Sequence, residues 1–370
     1  MAKPDSLDRI FKAYDVRGIV PDELDRRVAF AIGAAFAQFA KERDGDGPLI
    51  VAHDMRTSGG ELAEAFGAGV EDAGGELRAI GLASTDLLYF ASGRLPGAAA
   101  MLTASHNPPE WNGIKFCLSG ARPVAQDSGL EEIKELAQKR LGALSDDFVV
   151  GSPKLDQRDW LGEFAEHVRS FVEVKKLKGL DVVADTANGM GGLIAPSVFG
   201  GLPCSLDLMY GELDGTFPNH PANPIDPKNL ADLQARILHI GADVGLAFDG
   251  DADRVFLVDE TGEPLSGSTT TAIVASSILD KNPGATVLYN LICSKSVPEV
   301  IAEHGGVGER TRVGHSFIKA EMARTDAVFA GEHSGHYYFR DNFRADSGII
   351  AAVVVLEALS VADVPLSELR

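Results

Sequence analysis

Cysteine is scarce in this chain and cannot staple it. Cys117, Cys204 and Cys293 are odd in number, far apart and outside any CxxC pairing. That excludes a disulfide framework and a cysteine-ligated zinc centre, and it points to a reducing compartment, the cytoplasm. Positive charge is also short: 34 Lys and Arg stand against 54 Asp and Glu, for a formal charge of −20. Long-range repulsion therefore opposes any non-specific embrace of nucleic acid or an anionic membrane, and an anionic ligand has to be met by a local basic pocket. No apolar run approaches the roughly 18 residues of a membrane span, and Met1-Ala2-Lys3-Pro4-Asp5 carries no apolar signal region. Aromatics are few, at 7%, but hydrophobic residues reach 45%, enough to build buried cores and to exclude a disordered chain. Glycine is plentiful, 40 of 370 residues, as expected for many tight loops. At about 150 residues per domain the length allows two or three domains, and three are expected.

Short β-type runs alternate with helical patterns: Leu49 to Ala52, helical Glu61 to Ala73, Leu77 to Ile80, then Ala98 to Leu102. This alternation predicts α/β layers with mixed, largely parallel sheets. Asp127 to Arg140 reads as a solvated helix, and irregular sequence after Gly142 places a first boundary near 150. The pattern restarts with a helix from Trp160, strand Val182–Ala184 ending in Asp185, a glycine turn at 188–192, helix Leu230–Ile240 and strand Val244–Phe248. A third unit holds helix Thr269–Leu279, strand Ala285–Tyr289, a helix over 296–303, the loop Gly331 to His336 and the apolar helix Ser347–Leu359, after which the chain reads as connecting sequence. The expected domains are 1–150, 151–257 and 258–370. Sequence identity between them is weak, so any repeat would be one of topology.

Three motifs carry chemistry. Thr103-Ala104-Ser105-His106-Asn107-Pro108 presents a serine on a proline-stopped turn after an apolar run. Such an oxygen takes part in phosphoryl transfer only when exposed, aligned and helped by charge stabilisation. Alone the stretch reads as a serine turn or helix cap. Its continuation to Gly113-Ile114-Lys115 adds a cation that a glycine turn can fold back.

Asp249-Gly250-Asp251-Ala252-Asp253-Arg254 places carboxylates at alternate positions. An extended backbone would point all three to one side, where they repel unless a hard cation such as Mg²⁺ relieves them. Arg254 offers a planar donor for a phosphate. The spacing also fits the start of an EF-hand, with Glu260 at the twelfth position. Against that, the sixth position is Arg254 rather than glycine, and Val255–Val258 reads as a strand. A solvated acidic turn without metal is the other alternative.

Gly331-Glu332-His333-Ser334-Gly335-His336 suits hydrogen bonding to vicinal hydroxyls, or is simply a polar turn. His315 is either a general base or a surface histidine.

Together with Phe11-Lys12-Ala13-Tyr14-Asp15-Val16-Arg17-Gly18, Asp54-Met55-Arg56-Thr57-Ser58-Gly59 and Asp214-Gly215-Thr216-Phe217-Pro218, these motifs resemble, in register, the α-D-phosphohexomutase superfamily, specifically its bacterial phosphomannomutase/phosphoglucomutase branch. The resemblance implies three consecutive, topologically similar α/β domains with the active site in the cleft between them. It also implies interconversion of hexose 1- and 6-phosphates, of mannose or glucose, through a hexose 1,6-bisphosphate. Ser105 would be the phosphoserine and would share Mg²⁺ with Asp249, Asp251 and Asp253, while Arg254 steadies the phosphate. Tyr14, Arg17 and His106 would surround the phosphoserine, and Lys115 and His315 would be acid/base groups. Glu332 and Ser334 would hold sugar hydroxyls, with His336 nearby.

Two departures stand out. Relatives usually carry a fourth domain that grips the distal phosphate, so this chain is expected to bind metal but turn over weakly. Some relatives also place a lysine where Ile292 stands. A Mg²⁺-dependent phosphatase using the same serine and a non-catalytic sugar-phosphate-binding or Ca²⁺-binding module are the alternatives.

Overall fold

The computed structural model describes residues 7–95, 97–153 and 158–370, which fall into two compact units, 1–160 and 161–370. The first unit is built on one mixed sheet. Its strands are β1 (Val16–Ile19), β2 (Leu49–His53), β3 (Leu77–Leu82), β4 (Ala98–Leu102), β5 (Trp111–Leu118) and β6 (Arg122–Pro123), in the order β1-β5-β4-β2-β3 with β6 paired to β5. β2 runs parallel to β3 and β4, whereas β5 is antiparallel to β4 and β1. β4 is buried along its whole length, as an inner strand covered on both faces must be.

Small residues set the helix spacing. Helices Arg26–Asp44 and Gly59–Asp72 approach so closely that a Cβ on Gly33 would lie 2.1 Å from the Phe66 carbonyl oxygen, and one on Gly69 would lie 2.0 Å from that of Phe30. The Asp25 carboxylate caps the first of these helices by accepting the Val28 N–H at 2.9 Å. Helix Glu131–Ala143 is not the solvated element expected from its charge. Its Ile133, Ala137 and Leu141 lie one turn apart and are buried, forming an apolar stripe too narrow to dominate the composition.

The second unit holds two sheets. One contains β7 (Asp181–Asp185), β8 (Ser205–Met209), β9 (Val244–Phe248) and β10 (Val255–Asp259) in the order β10-β9-β7-β8. The other contains β11 (Thr286–Asn290), β12 (Val307–Thr311), β13 (Phe329–Gly331), β14 (Tyr337–Phe339) and β15 (Ala345–Asp346) in the order β12-β11-β13-β14-β15. Helix Gly348–Ala362, apolar nearly all round, is buried over most of its length. One polar residue inside it, Glu357, accepts the Glu173 N–H at 2.7 Å and pairs with Lys281. Helices Gly191–Phe199 and His315–Thr325, strands β8 and β12 and the terminal turn of helix Leu366–Leu369 were not legible in the sequence.

The repeat is topological, as expected. Each sheet has three parallel strands in the spatial order third-first-second, followed in sequence by an antiparallel strand beside the third: β5-β4-β2-β3, β10-β9-β7-β8 and β14-β13-β11-β12. The connection from the third strand to its antiparallel neighbour is the serine motif in the first sheet, the aspartate motif in the second and the Gly331–His336 motif in the third. Ligand groups commonly gather at such carboxyl ends of parallel strands. No helix among the described residues is long and apolar enough to cross a membrane.

Candidate active site

In the first unit β4 delivers the serine into a strained turn. Ser105 has φ 49°, unusual for a side-chain-bearing residue, and hydrogen bonds impose this conformation. Thr103 Oγ1 donates to Asp54 Oδ2 at 2.6 Å and accepts the Ser105 N–H at 2.9 Å. Arg56, buried to 2% exposure, gathers the backbone of the loop. Its Nη2 donates to the carbonyls of Ser105 (2.8 Å) and Asn107 (2.6 Å), and its Nη1 to those of Pro108 (2.8 Å) and Trp111 (2.9 Å). Asp54 lies 3.3 Å from Arg56 Nε and balances the charge. Arg17 donates from Nε to Asp15 at 2.9 Å and from Nη1 to the Ala104 carbonyl.

The exposed His106 ring brings Nδ1 to 3.2 Å from Ser105 Oγ. Tyr14, half-buried, lies in the segment leading into β1. Lys115 is not folded back by a glycine turn. It sits on β5 opposite Met101, and Gly113 is a strand residue whose Cβ would lie 2.2 Å from the Val16 carbonyl oxygen. The glycine permits close strand approach rather than a reversal.

In the second unit Asp249, Asp251 and Asp253 are buried to 0, 0 and 1% exposure, so this is not a solvated acidic turn. Ligand oxygens, one from each, lie within 4.8 Å of one another. They converge for a different reason from the one expected. The chain is not extended here but turns tightly, with Ala252 at φ 61° and its N–H donating to the Asp249 carbonyl at 3.2 Å.

Arg254 is turned onto Asp249, whose Oδ2 accepts from Nε at 3.0 Å and from Nη2 at 2.8 Å, while Oδ1 accepts the Arg254 N–H at 3.2 Å. Burial would lower the pKa of this guanidinium, but Asp249, Asp253 and Asp251 outweigh burial and raise it. Three buried carboxylates against one guanidinium leave a deficit of two positive charges, which a divalent, oxygen-seeking cation fits. β10 follows at once as a strand, which disposes of the EF-hand.

The third loop lies in the same unit. Glu332, 2% exposed, accepts from Asn290 Nδ2 at 3.2 Å and the Gly314 N–H at 3.4 Å on Oε1, and from the Tyr338 hydroxyl at 2.8 Å on Oε2. It thereby ties the loop to the segment preceding His315, which opens helix His315–Thr325. Burial and Glu332 together push the Tyr338 pKa well up, so the phenol stays a donor. Ser334 is half-buried beside a cavity of about 450 Å³ lined in part by Ile225, Asn290, Ile292 and Val313. Ile292 is 62% exposed.

His336 Nδ1 is 2.9 Å from Asp346 Oδ2 and 3.9 Å from Asp253. The other oxygen of Asp346 lies 3.3 Å from Lys319 Nζ. A backbone bridge between Arg254 and His336 couples the two loops of this unit directly.

The phosphoglucomutase/phosphomannomutase alpha/beta/alpha domains I, II and III match residues 8–141, 162–262 and 266–370. The chain belongs to the phosphoglucomutase/phosphomannomutase family. A phosphomannomutase of Vibrio cholerae is 36% identical over 367 residues, covering 97% of this chain and 78% of the relative. A phosphoglucomutase of Neisseria meningitidis is 37% identical over 360 residues, covering 96% and 76%. Among solved structures, a phosphoglucomutase/phosphomannomutase family protein of Burkholderia thailandensis superposes with a TM-score of 0.88 at 33% identity, covering 100% of this chain and 80% of that one. The family accounts for the three-fold repetition of one sheet topology.

The role of Arg56 is not legible in the sequence alone. The family signature Asp54–Gly59 was visible, but its partners lie 49 to 55 residues away along the chain, where no local pattern could indicate them.

Proposed function

We propose that this chain is a hexose-phosphate mutase that interconverts the 1- and 6-phosphates of mannose, glucose or both through a phosphoserine at Ser105. The observation that carries this reading is the serine turn itself: a left-handed Ser105 locked by Thr103 and Arg56, its hydroxyl facing His106. Phosphoryl transfer needs alignment and charge neutralisation more than covalent assistance, and the turn supplies the alignment.

In the forward half-reaction a sugar hydroxyl oxygen bonds to the phosphorus of phosphoserine while the bond between phosphorus and Ser105 Oγ breaks. The sugar hydroxyl yields its proton to a base, and Oγ regains one. The second half-reaction reverses this with the other phosphate of the hexose 1,6-bisphosphate. Lys115 and His315 are assigned the acid/base roles. Tyr14, Arg17 and His106 are assigned to the surroundings of the phosphoryl group, and Glu332 and Ser334 to the sugar hydroxyls, with His336 beside them.

The donor set of Asp249, Asp251 and Asp253 is assigned to Mg²⁺, which when bound neutralises phosphoryl charge. Arg254, held on Asp249, fixes the orientation of that carboxylate. A cytoplasmic setting accords with the three free cysteines.

The test is the intact mass of the protein and of Ser105→Ala before and after incubation with hexose 1,6-bisphosphate and Mg²⁺. A phosphoryl adduct that requires Ser105, together with conversion of hexose 1-phosphate to hexose 6-phosphate, is expected. Release of inorganic phosphate in place of the isomer would establish the phosphatase, and binding without any adduct would establish a non-catalytic sugar-phosphate module.

A further inference from the structure

Behind the aspartate loop lies a turn to which the reaction above assigns no role. β7 ends at Asp185, and the next residues form a tight reversal with Ala187 and Asn188 both left-handed, at φ 47° and 59°. This reversal touches the aspartate loop at Gly250. The Met190 N–H donates to the Gly250 carbonyl at 2.8 Å, and a Cβ on Gly189 would lie 2.7 Å from that oxygen and 2.9 Å from Gly250 Cα. Gly250 sits between Asp249 and Asp251, so the position of the turn fixes the chain between two of the three carboxylates.

The turn is latched in place from its far side by the 211–221 segment. Asn188, 4% exposed, donates from Nδ2 to the Glu212 carbonyl at 2.8 Å, accepts from Asn219 Nδ2 at 2.7 Å on its side-chain oxygen, and accepts the Asp214 N–H at 3.0 Å on its carbonyl. Asp185 accepts the Ala187 N–H at 2.9 Å and faces His220 Nε2, which lies 3.0 and 3.2 Å from its two oxygens. The opposite ring nitrogen of His220, Nδ1, is 3.0 Å from the Pro221 carbonyl oxygen. A carboxylate and a carbonyl are both acceptors, so both ring nitrogens donate and the latch is complete only as imidazolium.

We propose that His220, Asp185 and Asn188 are positioning residues for the metal centre: through the 185–190 turn they hold Gly250, and with it the separation of Asp249 and Asp251. This inference rests on the metal reading given above. It makes cation affinity depend on a histidine that touches none of the three aspartates.

The charged and titratable groups facing His220 are Asp185 on β7, Asp232 on the helix Ala231–Ile240, and Tyr210, whose ring packs edge-on at 5.4 Å and whose hydroxyl is engaged by Asp232. Burial would lower the His220 pKa, but Asp185 outweighs burial and the pKa is raised from 6.5. The latch is therefore intact below that ordinary value and is lost as pH rises through the raised one, a range in which free carboxylates stay ionised.

The test is calorimetric titration of Mg²⁺ alone into the full chain, its His220→Ala, His220→Gln and Gly189→Ala variants, with melting of each metal-free protein alongside. His220→Ala and Gly189→Ala are expected to lose tenfold or more in affinity, the scale of outer-shell losses at metal sites. His220→Gln, whose amide can still donate to Asp185, should recover part of the loss. Wild-type affinity should fall with rising pH above neutrality, and that of His220→Gln should not. Lowered melting temperatures with undiminished affinity, or a wild-type affinity that is flat with pH, would overturn the proposal even if an alanine variant fails to fold. A wild type that binds no Mg²⁺ would instead overturn the metal reading and this inference with it.

Discussion

Arg56 Nη2 donates to the carbonyl oxygen of Ser105 at 2.8 Å. The guanidinium that makes this bond is fully enclosed, as is the Asp54 carboxylate that balances it. The backbone of Ser105 is thus held by a charged group that cannot relax into water, in a φ range that an unsupported serine rarely adopts.

Arg56→Ala is expected to unfold the loop and to leave Asp54 buried without its charge partner. The loss is about 3–5 kcal/mol, typical of breaking a buried pair from one side. Arg56→Lys restores the charge but cannot reach four carbonyls at once, so it should recover stability more than phosphorylation. Urea denaturation and intact mass after bisphosphate treatment read the two effects separately. Equal recovery of both would show that the clamp acts through charge alone.

Gly33→Ala places a methyl 2.1 Å from the Phe66 carbonyl oxygen, and neither helix can yield locally. A destabilisation of about 1–3 kcal/mol is expected. Mg²⁺ affinity should be unaffected, since the aspartates belong to the other unit. Denaturant unfolding paired with metal titration checks both halves of the statement.

Asp251→Asn removes one of three buried carboxylates and lowers the charge that calls for a divalent ion. Its Mg²⁺ affinity should fall by more than the roughly 10–100-fold typical of an outer-shell change. Adding Mg²⁺ to metal-stripped wild type should stabilise it by about 2.7 kcal/mol at a hundredfold excess over Kd. The same addition should leave Asp251→Asn unmoved in a melting experiment.

Glu332→Gln keeps the shape but replaces one of the two oxygens that accept from Asn290, Gly314 and Tyr338 with an amide donor. The loop and the approach to His315 should loosen together. The expected result is a loss in kcat/KM of about a hundredfold, near 2.7 kcal/mol, with phosphorylation of Ser105 by hexose 1,6-bisphosphate largely retained. Steady-state kinetics and intact mass distinguish this from a general loss of fold.

The sequence disclosed what is written in contiguous residues. Runs such as Val244–Phe248 and Ala98–Leu102 are apolar throughout because inner strands are covered on both faces, and the motifs following them stand out as polar interruptions. β12 escaped notice because Val307-Gly308-Glu309-Arg310-Thr311 is a largely exposed edge strand with no buried face to leave a pattern. The aspartates converge, but from a turn at Ala252 and not from an extended run. Backbone conformation at one residue is invisible to alternation rules. Arg56, Asn188 and Asp346 work through partners distant in the chain, and only folding brings these into register.

Each of the three motifs leaves a parallel strand and returns along an antiparallel neighbour. Lengthening or exchanging such a connection does not require the strand register or the crossover helices beneath it to change. Chemistry and scaffold are in this sense separately heritable: three copies of one architecture can carry three different connecting loops while the sheets that bear them remain interchangeable in plan.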